Sequence, residues 1–264
     1  MTTAMNGLES RCDLLRSLHR PGVPLVLPNA WDVATAKTVA AAGFPVVATT
    51  SGGVAAALGY EDHEGAPAAE MLAAAARITR NVDVPVTVDA EAGYGMTAAD
   101  LVTGLKGVGA AGCNLEDANH ATKSLRDPRQ HAAWLRAVRE AASDQDYRLV
   151  INARIDVFLP GARQGAGGDT QAELMPEALR RAEAYLDAGA DCVYPIALWD
   201  TRTLRTFVAK CPGPVNVLRV PQAPSLAELA ELGVARVSYA SLLHRSAMAE
   251  FGRALASLAG EQPG

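Results

Sequence analysis

The chain has 264 residues, 49% of them hydrophobic, and a formal net charge of −5. That length suits a single large domain, and mild acidity without a basic cluster argues against nucleic-acid binding. Cys12, Cys113, Cys192 and Cys211 are widely spaced with no C-x-x-C pair, which points to unpaired thiols in a reducing compartment.

The amino-terminal stretch has neither a basic nor an apolar leader segment. The Ala-rich stretch 34–58 is broken by Gly43, Pro45 and Gly52-Gly53, so no membrane span is expected there. A cytoplasmic protein is expected. A helix over 8–19 opens the order of elements. Strands follow at 24–28, 45–49, 85–90, 112–116, 148–153, 191–195, 214–218 and 235–239, each a short apolar or β-branched run. Between and after them the apolar spacing predicts helices over 32–42, 66–80, 97–109, 129–143, 171–188, 200–209, 225–231 and 241–258. Several joints place glycine at a helix end just before a strand: Gly43, Gly109, Gly189 and Gly233. Eight strand-then-helix units without a break in composition predict a parallel (β/α)₈ barrel of the TIM type, with an extra amino-terminal helix, spanning 1–264. An open doubly wound sheet is the alternative. Residues 160–170 read as one Gly-rich loop.

In such barrels the chemistry sits at the carboxyl ends of the strands. There the sequence is unusually polar. Thr49, Thr50 and Ser51 end the second strand, Asp89 and Glu91 the third, Glu116 and Asp117 the fourth, and Asn152 and Arg154 the fifth. Tyr194, Arg219, Tyr239 and Ser241 follow on the last three. Residues two apart on a strand share a face, so Asp89 and Glu91 converge, as do Asn152 and Arg154. Clustered carboxylates repel one another, so a cation or a shared proton is expected among them. Hard oxygen donors without His or Cys favour Mg²⁺ or Mn²⁺ over zinc, and Mg²⁺ needs only one or two direct protein ligands. Ser51-Gly52-Gly53 reads either as a tight turn or as a small-residue loop whose backbone N–H groups face an anion. Arg154 suits a carboxylate or a developing negative charge. Together these features suit a small 2-oxo acid chelated to the metal.

These residues, with Leu27–Asp32, Ser51–Val54, Leu58–Asp62, Asp89–Gly95, Asn114–Asp117, Asn152–Arg154 and Ala188–Asp191, resemble the isocitrate lyase/phosphoenolpyruvate mutase superfamily over nearly the whole chain. The resemblance implies a metal-dependent barrel that makes or breaks C–C or P–C bonds beside a 2-oxo acid or its enolate. It implies Asp89 as the nearest Mg²⁺ ligand, with Asp62, Glu91 and Glu116 completing the site largely through water. It places the substrate carboxylate at Ser51, Gly52 and Gly53, and Arg154 against the oxo acid. It implies a homo-oligomer, a tetramer or dimer with exchanged carboxyl-terminal helices, and a lid at about 117–128. Isocitrate and methylisocitrate lyases carry Lys-Lys-Cys-Gly-His or Lys-Arg-Cys-Gly-His in that lid. Here Asn119–Arg126 contains no cysteine.

Within the lid, His120 and Lys123 are candidates for proton transfer; the bland alternative is a pair of solvated loop residues. Cys113 reads as a small core residue and not as a nucleophile. The leading expectation is a Mg²⁺-dependent lyase-like enzyme for a small 2-oxo or 2-hydroxy (di)carboxylate, with pyruvate, oxaloacetate or 2-oxoglutarate as ligand types. Mg²⁺ and Arg154 would disperse the charge of an enolate. A P–C bond enzyme, mutase or phosphonopyruvate hydrolase, is the alternative. A non-catalytic, metal-dependent 2-oxo-acid binder is the third.

Overall fold

The computed structural model describes residues 2–165 and 167–260. The chain opens with α1 (Thr2–Ser17) and enters β1 (Leu25–Leu27) and β2 (Asn29–Ala30), one strand interrupted at Pro28, which has no N–H to offer a ladder. Then come α2 (Val33–Ala41), β3 (Val47–Thr49), α3 (Ser51–Leu58), α4 (Ala68–Thr79), β4 (Val86–Asp89), α5 (Ala98–Gly107) and β5 (Gly112–Glu116). A small antiparallel hairpin, β6 (Ala118–Asn119) and β7 (Ser124–Leu125), follows. The second half runs α6 (Pro128–Asp144), β8 (Val150–Ile155), α7 (Leu159–Arg163), α8 (Gly168–Asp187), β9 (Cys192–Pro195), α9 (Thr201–Lys210), β10 (Asn216–Leu218), α10 (Leu226–Glu231), β11 (Arg236–Ser238) and α11 (Leu242–Gly260).

Excluding the hairpin, every strand pair is parallel, in the orders β2-β3-β4-β5-β8-β9 and β1-β11-β10. Two seams join these sheets into a closed circuit. At one, β1 and β2 are the two halves of a single strand across Pro28. At the other, Val193 of β9 bridges Val215, just before β10, and the Val193 N–H donates to the Pro214 carbonyl at 3.0 Å. The expected (β/α)₈ barrel is therefore present.

Helix α1 closes the amino-terminal end. Its Leu15 is fully buried against the start of β5, where a Cβ on Gly112 would lie 2.7 Å from Leu15 and 2.8 Å from the Val150 carbonyl. Arg16 anchors the helix by donating to Asp191 at 2.8 Å and to the Leu149 carbonyl at 3.1 Å. Strand interiors and the inner faces of α4, α5, α6, α8 and α9 form one continuous apolar core. Helix α11 and the five-residue α7 bury no residue. Among the described residues no helix is long and apolar enough to cross a membrane.

Three local expectations need correction. Ser51-Gly52-Gly53 is not a loop; it forms the first turn of α3, because the Ala/Leu-rich continuation to Leu58 carries the helix past two glycines. Strand β4 stops at Asp89, and Glu91 lies beyond it with φ +48°, so strand alternation does not place Glu91. The expected Gly-rich loop at 160–170 contains most of α7 and the start of α8.

Candidate active site

The carboxyl ends of β3, β4, β5 and β8 bring the polar residues together. Asp89 ends β4, and its Oδ2 accepts the Ser51 N–H at 3.0 Å, while its own N–H donates to Thr49 Oγ1 at 2.8 Å. The first N–H groups of a helix have no intrahelical partner and carry the positive end of its dipole, so a carboxylate is stabilised there. Ser51 is thus engaged by Asp89, which leaves the N–H groups of Gly52 and Gly53 for another anion. A Cβ on Gly52 would sit 2.7 Å from both Asp62 Oδ2 and Ser241 Oγ, so glycine is what lets Asp62 approach this turn. Ser241, after β11, also contacts Thr50 Oγ1 at 2.9 Å.

Glu91 is buried, and its Oε1 accepts the Glu64 N–H at 2.8 Å. Burial pushes its carboxyl up to about 8, and the charges of Asp89, Asp62 and Glu116 push in the same direction against the Glu64 N–H. All four sequence-predicted metal residues therefore act on one electrostatic neighbourhood. Among the described residues no three His, Cys, Asp or Glu side chains are close enough to ligate a single ion directly. A small hard cation with several waters still fits these oxygens, since it needs one or two direct carboxylates and would relieve the repulsion that Glu91 carries.

Glu116 is the hinge of the arrangement. It is buried at the end of β5, opposite Arg154 in the β5–β8 register. Its Oε2 pairs with Arg154 Nη1, and its Oε1 lies 2.5 Å from His120 Nε2. Burial pushes the Glu116 carboxyl up, opposed by the charge of Arg154 and by the contact with His120. The same contact raises the imidazole of His120 above its ordinary value. Arg154 is pinned further by Asp156, through Nε at 2.7 Å and Nη2 at 2.8 Å. A guanidinium has five N–H donors, so three are spent on Glu116 and Asp156 and two remain.

His120 and Lys123 separate in the structure. His120 is largely covered, bound to Glu116 and stacked on His63 with ring centroids 5.1 Å apart. Lys123 is exposed at the tip of the β6–β7 hairpin with φ +55°. Arg126 fastens the hairpin to the β4 loop through the Ala92 carbonyl at 2.9 Å. Beside it lies a cavity of about 400 Å³ whose wall includes His63, His120, Lys123, Arg154, Asp156 and Arg163. Asp62, Asp89 and Glu91 are not on that wall; Glu116 connects them to it by holding Arg154 and His120.

Asp117 points the other way. It is fully buried beneath the hairpin, accepting from Arg181 at 2.8 Å, Tyr185 at 2.7 Å and the Asp156 N–H at 2.9 Å. It is an anchor for α8 and the β8 loop. Cys113 is fully buried, and burial pushes its thiol up to about 12, so it is no nucleophile. Sequence reasoning passed over Asp156, although it stands two residues after Arg154 and alternation offered it. It also passed over His63, in a turn, and Arg163, at the end of α7, which share no local pattern. Arg236 went unnoticed too: buried at the start of β11, it donates to Asn114 Oδ1 at 3.0 Å, which also accepts from Asn152 at 2.9 Å.

The family model of phosphoenolpyruvate phosphomutase matches residues 15–259. A solved structure from Burkholderia cenocepacia described as a "putative phosphonomutase" is 41% identical, with a TM-score of 0.88 over 95% of this chain and 99% of that one. An uncharacterized protein of Mycobacterium tuberculosis is 37% identical over 85% of this chain and 81% of its own length. "Probable 2-methylisocitrate lyase 2" of Corynebacterium glutamicum is 32% identical over 98% of this chain and 83% of its own. Lyases and mutases thus share this fold and much of this sequence, and the chain belongs to the isocitrate lyase/phosphoenolpyruvate mutase superfamily of enzymes.

Proposed function

We propose that this enzyme is a Mg²⁺-dependent lyase acting on a small 2-oxo or 2-hydroxy dicarboxylate. The observation that carries this reading is the gathering of Asp89, Asp62 and Glu116 about the buried Glu91, joined through Glu116 to the pinned guanidinium of Arg154. Asp89 would hold the cation directly, with Asp62, Glu91 and Glu116 holding its waters; Mn²⁺ suits the same oxygens. A divalent cation bound there supplies Lewis-acid polarisation of the substrate's oxo and carboxylate oxygens.

The remaining work falls to the chain itself. The free N–H groups of Gly52 and Gly53, at the start of α3, receive a substrate carboxylate. Arg154 is held in place by Glu116 and Asp156, so its two remaining N–H donors meet developing enolate charge without first reorganising. His120, held through Nε2 by its orienting partner Glu116, gives or takes the proton at its other ring nitrogen, Nδ1. Lys123 stands at the cavity mouth, where a proton-transfer role requires the hairpin to move.

The phosphomutase family match and the 41% identical phosphonomutase-type structure favour a second reading, P–C bond chemistry on the same machinery. Turnover over a panel of 2-oxo acids, 2-hydroxy acids and phosphonates, with Mg²⁺ and with chelator, separates the two. Metal-dependent pyruvate-type product from a dicarboxylate supports the lyase, and product from a phosphonate alone supports the second reading. Metal-independent turnover removes both.

We also propose a homo-oligomer built through α11. The exposed Met248, Phe251, Leu255 and Leu258 recur at spacings of three and four, one stripe of an amphipathic helix.

A further inference from the structure

We infer that the cavity mouth carries a second anion subsite, formed by Arg163 and Lys123 and organised by His63, which selects substrates with a second acidic group. This rests on the proposed binding of the 2-oxo-acid end at Arg154 and the start of α3. The charge inventory of the cavity is the first reason. Its wall carries the cationic groups of Arg154, Arg163 and Lys123 and the imidazoles of His63 and His120. Asp156 is its one acidic wall residue among those described, and the two bonds from Arg154 neutralise it. Glu116, behind the wall, shares that same guanidinium and lies against His120, so the inner end of the cavity carries no positive surplus and any surplus rests on the outer groups. Arg163 and Lys123 have no such partner: among the described residues neither forms an ion pair. A cavity with surplus positive charge on one side concentrates an anion there.

The second reason is how Arg163 is held. Its Nη2 lies 3.1 Å from His63 Nε2, so the guanidinium donates to that ring nitrogen and the ring accepts with its lone pair. His63 in turn stacks on His120, with an interplanar angle of 27°. A layer of two rings therefore runs from Glu116 to Arg163, spacing the outer guanidinium from the inner one. A solvated surface arginine would have no need of such a support. Arg154 and Arg163 lie on one wall of a cavity of about 400 Å³, within the size range of small-molecule sites. The chemistry that fits is a short chain with an oxyacid at each end: the 2-oxo acid at Arg154, and a carboxylate or phosphonate at Arg163 and Lys123. A monoacid such as pyruvate would leave the mouth empty.

The test is calorimetry in Mg²⁺ buffer with pyruvate, oxaloacetate and phosphonopyruvate against wild type, Arg163→Gln, Arg163→Lys and Lys123→Gln. Arg163 is exposed on a five-residue surface helix, so its replacement leaves the core untouched. Arg163→Gln is expected to weaken both diacids at least tenfold while pyruvate changes less than twofold, with partial recovery in Arg163→Lys. The diacid that loses more identifies the terminal group the mouth accepts. An equal loss for all three ligands, or no loss for either diacid, overturns the subsite. If wild type binds none of the three, the 2-oxo-acid reading itself fails and takes the subsite with it. Binding of pyruvate alone removes only the subsite.

Discussion

Replacing Glu91 by Gln should alter the pH dependence of stability, because burial first and the neighbouring carboxylates second hold its carboxyl protonated in the fold. Glu91 is 3% exposed, and its folded carboxyl sits at about 8 against an ordinary 4.5. Below pH 4.5 the folded and unfolded chains both hold this proton, and the group contributes nothing. Between 4.5 and 8 the unfolded chain has released it while the fold keeps it, so stability falls as pH rises. Each pH unit in that window is worth about 1.4 kcal/mol, which makes the loss on the order of 3 kcal/mol at pH 7. Urea unfolding in chelator from pH 4.5 to 8 reads this directly. Wild type should decline across the window relative to Glu91→Gln, which has no proton to lose and still offers an oxygen to the Glu64 N–H. Saturating Mg²⁺ should remove the decline, because a cation favours the carboxylate. Parallel pH profiles for wild type and variant in chelator would refute the electrostatic reasoning.

Other substitutions separate the parts of the site. Gly52→Ala should lower Mg²⁺ affinity about tenfold with little change in melting temperature, because the new methyl displaces only the ends of Asp62 and Ser241; calorimetry and a thermal scan check both. Asp117→Ala should cost about 3–5 kcal/mol in urea unfolding, since it leaves Arg181 buried without its charge partner; a loss below 1 kcal/mol would contradict the anchoring role. His120→Gln should cut kcat by about 10² to 10⁴ with little effect on KM, and unchanged kcat would return His120 to the status of a cavity-wall residue.

The barrel was legible because the strand runs are short and several of the helices before them end in glycine, so the period switches eight times within one composition. Asp89, Glu116 and Arg154 were legible for the same reason: each is the polar stop of an apolar run. Helix α3 was not, because two glycines weigh against a helix locally while tertiary packing of Val54 and Ala55 supports one. Glu91 reached the cluster by a turn with positive φ, not by strand alternation, so the expected neighbourhood followed from an argument that does not apply to it. The orientation of Asp117 was hidden for a related reason. One residue past Glu116 it faces the helix layer, and its partners Arg181 and Tyr185 lie more than sixty positions away in sequence. His63, in a turn, and Arg163, at the end of α7, stand a hundred residues apart, and only the folded chain brings them together.

The central claim is that a metal held at Asp89 and the guanidinium of Arg154 together bind a 2-oxo acid. Its most direct test is calorimetric titration of oxaloacetate into wild type, Asp89→Ala and Arg154→Gln, each with Mg²⁺ and with chelator. Binding is predicted only for wild type with Mg²⁺, abolished by chelator or by Asp89→Ala, and at least tenfold weaker in Arg154→Gln. Equal affinity with and without metal, unchanged by either substitution, would contradict it.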